Sequence, residues 1–297
     1  MDISPFVQTI EKQKLNCEGV VILRHGKKIA CHRWIAQAPR NCRSVSKSFT
    51  SIAIGMAVQQ GKLSLHDRVL DILGDTLPRR PASQSKSEQE KHLAALNLEH
   101  LLTMTRGHGE FSRPKTVSEA LEQQLSFEPG THFVYDNGST FLASAMFTRA
   151  MGMTVRDYLV DALFRPLGIP DPEWAHSTDG HTTGATGLMV TTSSLALFGQ
   201  FLLQRGQWKN RQLVPPQWID CASRPHVSTG DSPHKDYDLG YGYGFWPCRY
   251  GAFRADGRDG QFVIVLPRQD AVVAISSNEE KHYPVLYTVW ETILPAL

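Results

Sequence analysis

Apolar residues form two pairs of short runs, one pair near each end of the chain, and each pair flanks a polar turn. The first pair lies on either side of His25-Gly26-Lys27, and the second lies on either side of Pro267-Arg-Gln-Asp270. Short apolar runs joined by a turn predict β-hairpins. The predicted strands are residues 19–24 and 28–32 in the first hairpin and residues 261–266 and 271–276 in the second.

Between the two predicted hairpins the apolar residues recur mainly at helical spacing. Residues 49–60 are apolar almost all round, which predicts a buried helix that ends at Gly61. The same periodicity predicts further helices at residues 98–105, 138–151, 155–163, 193–204 and 282–293. Residues 78–92 are instead polar and interrupted by proline, so we expect an exposed loop there.

Strands at both ends of the chain with helices between them predict an α+β fold in two lobes. One antiparallel sheet covered by terminal helices would form an α/β lobe from about residues 1–48 and 205–297, beside an all-helical lobe of residues 49–204. The 297 residues would then form a single unit. We expect a ligand to bind in the cleft between the lobes.

The composition narrows the classes of partner. The net charge is +2 and the basic residues are dispersed, so we expect neither nucleic acid nor an anionic membrane as a partner. No apolar stretch reaches the roughly 18 residues of a membrane span. The amino terminus lacks the apolar core of a secretory signal, which favours a cytoplasmic protein, or a periplasmic one if a leader has been removed. Five cysteines without a C-x-x-C pair favour reduced thiols, and the twelve histidines lack metal-ligand spacing, so we expect no metal and no cofactor.

The pattern Ser-x-x-Lys occurs four times, and its context separates the copies. The matches are Ser44–Lys47, Ser83–Lys86, Ser112–Lys115 and Ser232–Lys235. The second lies in the polar segment 78–92, and the last two each contain a proline that disfavours a helix. We therefore expect those three serines to lie in solvated loops.

Ser44 and Lys47 lead directly into the predicted buried helix. Spacing of three residues on a helix places both side chains on one face. The helix start stabilises an alkoxide or an oxyanion, and a lysine without solvent can lose its charge and act as a base. The alternative, still open from these residues alone, is that Ser44 or Ser46 only caps the helix and Lys47 is a surface charge.

A second motif follows about ninety residues later. Phe127-Glu-Pro-Gly130 precedes Tyr135-Asp-Asn137, which leads into the helix predicted at 138–151. In order and spacing these motifs resemble the serine β-lactamases, D-alanyl-D-alanine peptidases and related esterases. Further similar stretches are residues 61–69, 101–107, 187–192 and 240–246. The resemblance covers nearly the whole chain and implies the β-lactamase/transpeptidase-like architecture, with the site in the cleft between the lobes.

The resemblance also implies roles for individual residues. Ser44 would form an acyl-enzyme, and Lys47 and Tyr135 would exchange its proton, with the tyrosine approaching phenolate character beside the cationic lysine. Asn137 would hydrogen-bond Lys47 or a substrate amide. Tyr241, Tyr243 and Trp246 either wall the acyl pocket or pack in the core.

The third motif of the family, Lys-Thr-Gly or a variant, corresponds to Arg254-Ala-Asp-Gly257. Gly257 suits a close approach of substrate backbone, and the N–H groups of Arg258 and Ser44 would form the oxyanion hole. Ala255 stands where the family has a cation that helps to bind the carboxylate of penicillins. Arg254 or Arg258 could replace that cation from a shifted position.

The missing cation favours a serine hydrolase of a small ester or amide over a β-lactamase. A true β-lactamase or D-alanyl-D-alanine carboxypeptidase, acting on a peptide, is the first alternative. A non-catalytic descendant that binds a ligand or serves as a scaffold is the second. The oligomeric state stays open.

Overall fold

A six-stranded antiparallel sheet forms the centre of the molecule, and its strands occur in the order β2-β1-β10-β9-β8-β7. The computed structural model describes residues 1–77 and 87–297. The strands of this sheet are β1 Cys17–Arg24, β2 Lys27–Arg33, β7 Trp246–Pro247, β8 Phe253–Gly257, β9 Gln261–Leu266 and β10 Ala271–Ser277. Two short two-stranded sheets are separate from it, β3 Arg40–Asn41 with β4 Met189–Val190 and β5 Gln207–Trp208 with β6 Arg211–Gln212.

Helices occupy most of the chain between the two halves of the sheet. They are α1 Ser4–Lys12, α2 Val45–Gln59, α3 Val69–Leu73, α4 Glu88–Ala95, α5 Leu98–Leu102, α6 Val117–Glu122, α7 Asn137–Met151, α8 Val155–Leu159, α9 Arg165–Leu167, α10 Thr192–Leu203, α11 Pro216–Ser223 and α12 Tyr283–Thr288. Two π-helical segments, Val160–Phe164 and Val289–Ile293, continue α8 and α12. No helix in the described ranges is both long and apolar enough to cross a membrane.

The two faces of the sheet are covered by different helices because successive side chains of a strand point to opposite faces. On one face, Val20 and Ile22 of β1 pack in a core with residues of α1 and α12. On the other face, Val263 and Val265 of β9 join a larger core formed with α2, α7 and α10. This larger core holds the start of α2 against the end of β8, and that position is where the site lies.

Both predicted hairpins are confirmed, and so is the predicted α+β fold. The predicted buried helix begins four residues earlier than expected, at Val45, and Gly61 follows it with a left-handed φ of +66°. The helix predicted at 155–163 is divided between α8 and the π-helical segment that follows it. The bounds of the two lobes stay a prediction, although α10, placed in the helical lobe, packs against β9 and β10.

The prediction of a loop over residues 78–92 is wrong in its last part. Ser87 accepts a hydrogen bond from the N–H of Glu90, whose side chain in turn accepts one from the N–H of Ser87. This capping box begins α4, so residues 88–92 are helical. Residues 78–86, with the Ser83–Lys86 match, lie outside the described residues. All five cysteines are described as free thiols, as expected.

Candidate active site

The turn before α2 places Ser44 directly before the first residue of the helix, Val45. Arg43 has a left-handed φ of +52°, a conformation that costs energy for a non-glycine residue and is common at functional sites. Ser44 occupies the N-cap position, yet its side chain makes no capping hydrogen bond. The hydroxyl is therefore available for another partner, and the alternative that Ser44 only caps the helix is wrong.

Lys47 lies one helical turn further on and is buried, with 2% of its surface exposed. Its Nζ lies 3.2 Å from Ser44 Oγ, 2.5 Å from Asn137 Oδ1 and 3.1 Å from the carbonyl oxygen of Ala185. None of these three partners carries a charge. The alternative of a surface lysine is wrong as well.

Burial lowers the pKa of Lys47 to about 7, because the ammonium has lost its hydration. The carboxylate of Asp136 opposes this change, and the nearby charge of Arg113 adds to it. A neutral amine has two N–H donors and one lone pair. The two acceptor-only oxygens of Asn137 and Ala185 take the donors, which leaves the lone pair for the hydroxyl proton of Ser44.

Tyr135 lies on the other side of the lysine. Lys47 Nζ lies 4.8 Å from the centroid of the Tyr135 ring, and Tyr135 lines the same cavity as Ser44. The ring packs between Trp246 and Tyr241, with centroid distances of 5.8 and 5.9 Å. Burial raises the pKa of Tyr135. The expected phenolate character is therefore wrong, since the tyrosine keeps its proton.

Of the three aromatic residues considered for an acyl pocket, Tyr241 and Trp246 lie directly behind Tyr135. Tyr243 instead donates a hydrogen bond to Glu99 and stacks on His226. It packs in the core away from the nucleophile. None of the three lines the cavity described below.

Asp136 fixes the segment between Tyr135 and Asn137. It caps α7 by accepting a hydrogen bond from the N–H of Ser139 and forms a buried ion pair with Arg106, whose Nε lies 2.8 Å from Oδ2. Its other carboxylate oxygen accepts hydrogen bonds from the N–H and the hydroxyl of Ser112. Ser112 is 8% exposed, so the expectation of a solvated loop serine is wrong at this position.

Gly257 ends β8 against the turn that carries the nucleophile. A Cβ atom at this position would lie 2.5 Å from the carbonyl oxygen of Cys42, which leaves room only for glycine. The close approach of the chain's own backbone is therefore one reason for the glycine, and the approach of substrate backbone stays a prediction. Among the hydrogen bonds of the described residues, none is donated by the N–H of Ser44 or of Arg258. Their role as an oxyanion hole stays a prediction.

The two arginines considered as the missing cation lie in different environments. Arg254 is 0% exposed and bonds to Asp256 Oδ2 at 2.7 Å and to the carbonyl oxygen of Asp236 at 2.9 Å. It has no surface to offer a substrate, so this expectation is wrong. Arg258 does reach the cavity, where its Nε lies 3.5 Å from Asp259. Ala255 is fully buried.

A cavity of about 680 Å³ opens beside Ser44. The residues that line it are Asn41, Arg43, Ser44, Phe111, Arg113, Tyr135, Asn137, Thr186, Arg258 and Asp259. Four of the six predicted site residues are among them, and Lys47 lies beneath, bonded to Ser44 and Asn137. The sequence analysis missed Phe111 and Arg113, because their Ser112–Lys115 pattern carried only the signal of an exposed loop.

The sequence matches the model of the β-lactamase family over residues 7–294, and the chain belongs to this family. A lovastatin esterase of Penicillium rubens is 27% identical over 44% of this chain and 38% of its own length. The octameric penicillin-binding protein homologue of Pyrococcus abyssi superposes with a TM-score of 0.77, at 19% identity, over 100% of this chain and 78% of that one. A penicillin-binding protein of Bacillus halodurans superposes with a TM-score of 0.73, at 18% identity, over 98% of this chain and 100% of that one.

The family and the fold predicted from the motifs are thus confirmed. Members of the family include hydrolases of small substrates, an esterase among them. At this low identity the solved structures show the fold alone. The reaction of this chain must be argued from its own residues.

Proposed function

We propose that this protein is a serine hydrolase that cleaves a small ester or amide through an acyl-enzyme on Ser44. The observation that carries the proposal is the contact between Ser44 and a buried amine. Lys47 Nζ lies 3.2 Å from Ser44 Oγ, and no carboxylate of residues 1–77 or 87–297 is hydrogen-bonded to it to hold the charge. A base whose pKa is about 7 matches a proton transfer at neutral pH.

In the first half of the reaction the neutral Lys47 accepts the hydroxyl proton of Ser44 while Oγ bonds to the carbonyl carbon. The tetrahedral oxyanion is stabilised by the N–H groups of Ser44 and Arg258. The bond to the leaving group then breaks, and the leaving oxygen or nitrogen receives a proton from the Lys47 ammonium, with the Tyr135 hydroxyl as the relay beside Oγ. The product is an ester of Ser44 and a free alcohol or amine.

In the second half a water molecule gives a proton to the same amine as its oxygen attacks the acyl ester. Collapse of this second intermediate returns the proton to Ser44 Oγ and releases the acid. Asn137 positions the amine throughout, because its Oδ1 accepts one of the two N–H groups. Burial raises the pKa of Tyr135, so its hydroxyl holds a proton that can pass to the leaving group.

The lovastatin esterase among the relatives supports an ester substrate. The third-motif strand supports the same preference, because Ala255 carries no charge and Arg254 is sealed in the core. The carboxylate of a β-lactam or a D-alanyl peptide would find no cation at position 255, where the resemblance leads one to expect one.

Intact-mass measurement tests the proposal. The purified protein is incubated with p-nitrophenyl esters, anilides, short D-peptides and β-lactams, and the mass gain is mapped to a residue. We expect an acyl adduct on Ser44 from esters or amides, with a burst of p-nitrophenol. The variant Ser44→Ala should give none.

The control is Ser232→Ala, which removes the serine of another Ser-x-x-Lys match and should leave acylation unchanged. A stable penicillin adduct or turnover of nitrocefin, with no reaction of esters or amides, would replace the proposed substrate by a β-lactam. Ligand binding without any adduct on Ser44 would overturn the catalytic proposal and favour a binding protein.

A further inference from the structure

One wall of the cavity is formed by Phe111 and Arg113, which the proposed mechanism does not use. Phe111 is 48% exposed, Arg113 is exposed, and Ser112 between them is 8% exposed. Both outer residues line the cavity that contains Ser44. The middle residue faces away from it, into the protein.

Ser112 fixes this wall to the reaction centre. Its N–H and its hydroxyl donate hydrogen bonds of 2.9 and 2.7 Å to Asp136 Oδ1, and its Oγ accepts one from Arg106 at 3.2 Å. Asp136 lies between Tyr135 and Asn137 in the chain. The anchor therefore holds Phe111 and Arg113 at a defined place relative to the residues that surround Ser44.

The lining of the cavity carries more positive than negative side chains. Arg43 is paired with Asp259 at 2.9 Å, and the Nε of Arg258 lies 3.5 Å from the same carboxylate. Arg113 forms no ion pair with any residue in 1–77 or 87–297, and its guanidinium lies 5.1 Å from the centroid of the Phe111 ring. Three arginines thus face one acid in the lining.

We propose that Arg113, held by the Ser112–Asp136 anchor and backed by Phe111, is a specificity-determining residue that binds a carboxylate of the substrate. The proposal rests on the proposed function and names a substrate class for it, an ester or amide that carries a second, anionic group. A guanidinium matches a carboxylate with two parallel hydrogen bonds. The recognising charge then comes from residue 113 and not from the third-motif strand, where Ala255 and the buried Arg254 offer none.

A second consequence concerns the base. The charge of Arg113 contributes to the lowered pKa of Lys47. A bound carboxylate neutralises the charge of Arg113 and so raises the pKa of Lys47. The acidic limb of the pH profile of kcat should therefore lie at higher pH for anionic substrates than for neutral ones. A purely structural role of Arg113 would not link the limb to the charge of the substrate.

The test uses pairs of esters in which one member carries an additional carboxylate group. For the acyl side the pair is p-nitrophenyl hemiglutarate and p-nitrophenyl butyrate, and for the leaving-group side it is 4-acetoxybenzoate and phenyl acetate. We expect Arg113→Gln to lower kcat/KM for the anionic member of one pair by about 10- to 100-fold, as expected for one charge-assisted contact, and the neutral member by less than threefold. Whichever pair responds shows the side on which the carboxylate lies.

Two further variants separate charge from structure. Arg113→Lys should restore part of the loss, since it keeps the charge without the planar fork. Lys115→Gln removes one positive charge two residues away, outside the cavity lining, and should change neither member of either pair. Equal losses for anionic and neutral esters in Arg113→Gln, or no loss at all, would overturn the proposal.

The affinity for glutarate, measured by calorimetry, distinguishes a failure of the Arg113 subsite from a failure of the proposed hydrolase function. If wild-type protein acylates on Ser44 but glutarate binds wild type and Arg113→Gln equally, the subsite is wrong and the hydrolase stands. If no ester acylates Ser44 but glutarate binds wild type at least tenfold more tightly than Arg113→Gln, the hydrolase is wrong and the anion subsite stands.

Discussion

Lys47 and Arg254 are both buried basic side chains close to Tyr135, and they differ in the partners of their hydrogen bonds. In the part of the chain that the structure describes, the hydrogen bonds of Lys47 Nζ all go to neutral oxygen atoms, those of Ser44, Asn137 and Ala185. The carboxylate of Asp136 is near Lys47 and acts on its pKa without a hydrogen bond to it. Arg254 meets the carboxylate of Asp256 at 2.7 Å and lies 4.3 Å from the centroid of the Tyr237 ring. Both side chains are almost without solvent contact.

The difference separates a base from a structural cation. A buried charge is stable only when an opposite charge and hydrogen bonds compensate for the lost hydration. Arg254 has that compensation and remains a cation. Lys47 has no charged hydrogen-bond partner among the described residues, and the nearby carboxylate of Asp136 compensates only in part, so its pKa is lowered to about 7. In the proposed mechanism its lone pair is then available to Ser44. Burial thus lowers the pKa of one basic side chain, Lys47, while a second buried side chain, Arg254, keeps its charge.

The largest effect is expected from Lys47→Met, which keeps the length of the side chain and removes the base. Acylation of Ser44 by p-nitrophenyl esters should slow by about 10²- to 10⁴-fold, the range of general-base catalysis. Stopped-flow measurement of the p-nitrophenol burst gives the rate, and circular dichroism verifies the fold. Lys47→Arg should be equally slow, because a guanidinium does not give up its proton.

The control for this change is Lys115→Met, in the exposed part of another Ser-x-x-Lys match, which should acylate at the wild-type rate. Acylation of a folded Lys47→Met protein within tenfold of wild type would show that another group removes the proton. The difference between Lys47 and Arg254 would then not be a difference between a base and a structural cation.

The next effect in size is on stability and tests the other cation. Arg254→Met leaves the carboxylate of Asp256 buried without its partner, and we expect the free energy of unfolding to fall by about 3–5 kcal/mol. Urea denaturation followed by tryptophan fluorescence measures it. The loss arises from the charge that is left behind, not from the contact alone.

The double variant Arg254→Met/Asp256→Leu checks that reason. Removing both charges should recover most of the lost stability, as an apolar pair of similar volume replaces a buried ion pair at little net cost. If the double variant is less stable than Arg254→Met alone, the pair is not the source of the effect, and packing on Tyr237 and Trp246 must be.

The elements that a local pattern defines could be predicted from the sequence. The helix α2 is apolar on all sides, and the hairpins β1–β2 and β9–β10 have apolar runs of strand length around a turn. The family motifs gave Ser44, Lys47, Tyr135 and Asn137, and the structure brings all four together. Spacing along a helix and order along the chain were sufficient for this part.

Properties that depend on distant partners could not be predicted. Ser112 looks like a loop serine until Asp136, 24 residues away, takes its hydroxyl, and only then do Phe111 and Arg113 face the cavity. Arg254 looks available for a substrate until Asp256 and Tyr237 enclose it. The protonation state of Tyr135 likewise depends on its burial, which no local pattern encodes.

The last prediction concerns pH and sharpens the account of Lys47. Only the neutral amine accepts the proton of Ser44, so the acylation rate should fall about tenfold for each pH unit below a pKa of about 7 and level off above it. Burial raises the pKa of Tyr135, so no alkaline loss should follow before pH 10. Burst rates with a neutral ester from pH 5 to 9.5 give the profile.

Arg113→Gln should move the acidic limb to higher pH, because the charge of Arg113 is one of the causes that lower the pKa of Lys47. Lys115→Gln, with the same change in net charge, should leave the limb in place. A rate that still rises tenfold per unit at pH 9 would mean that Lys47 keeps the pKa of a solvated lysine. Lys47 would then be charged at neutral pH, as Arg254 is, despite its burial.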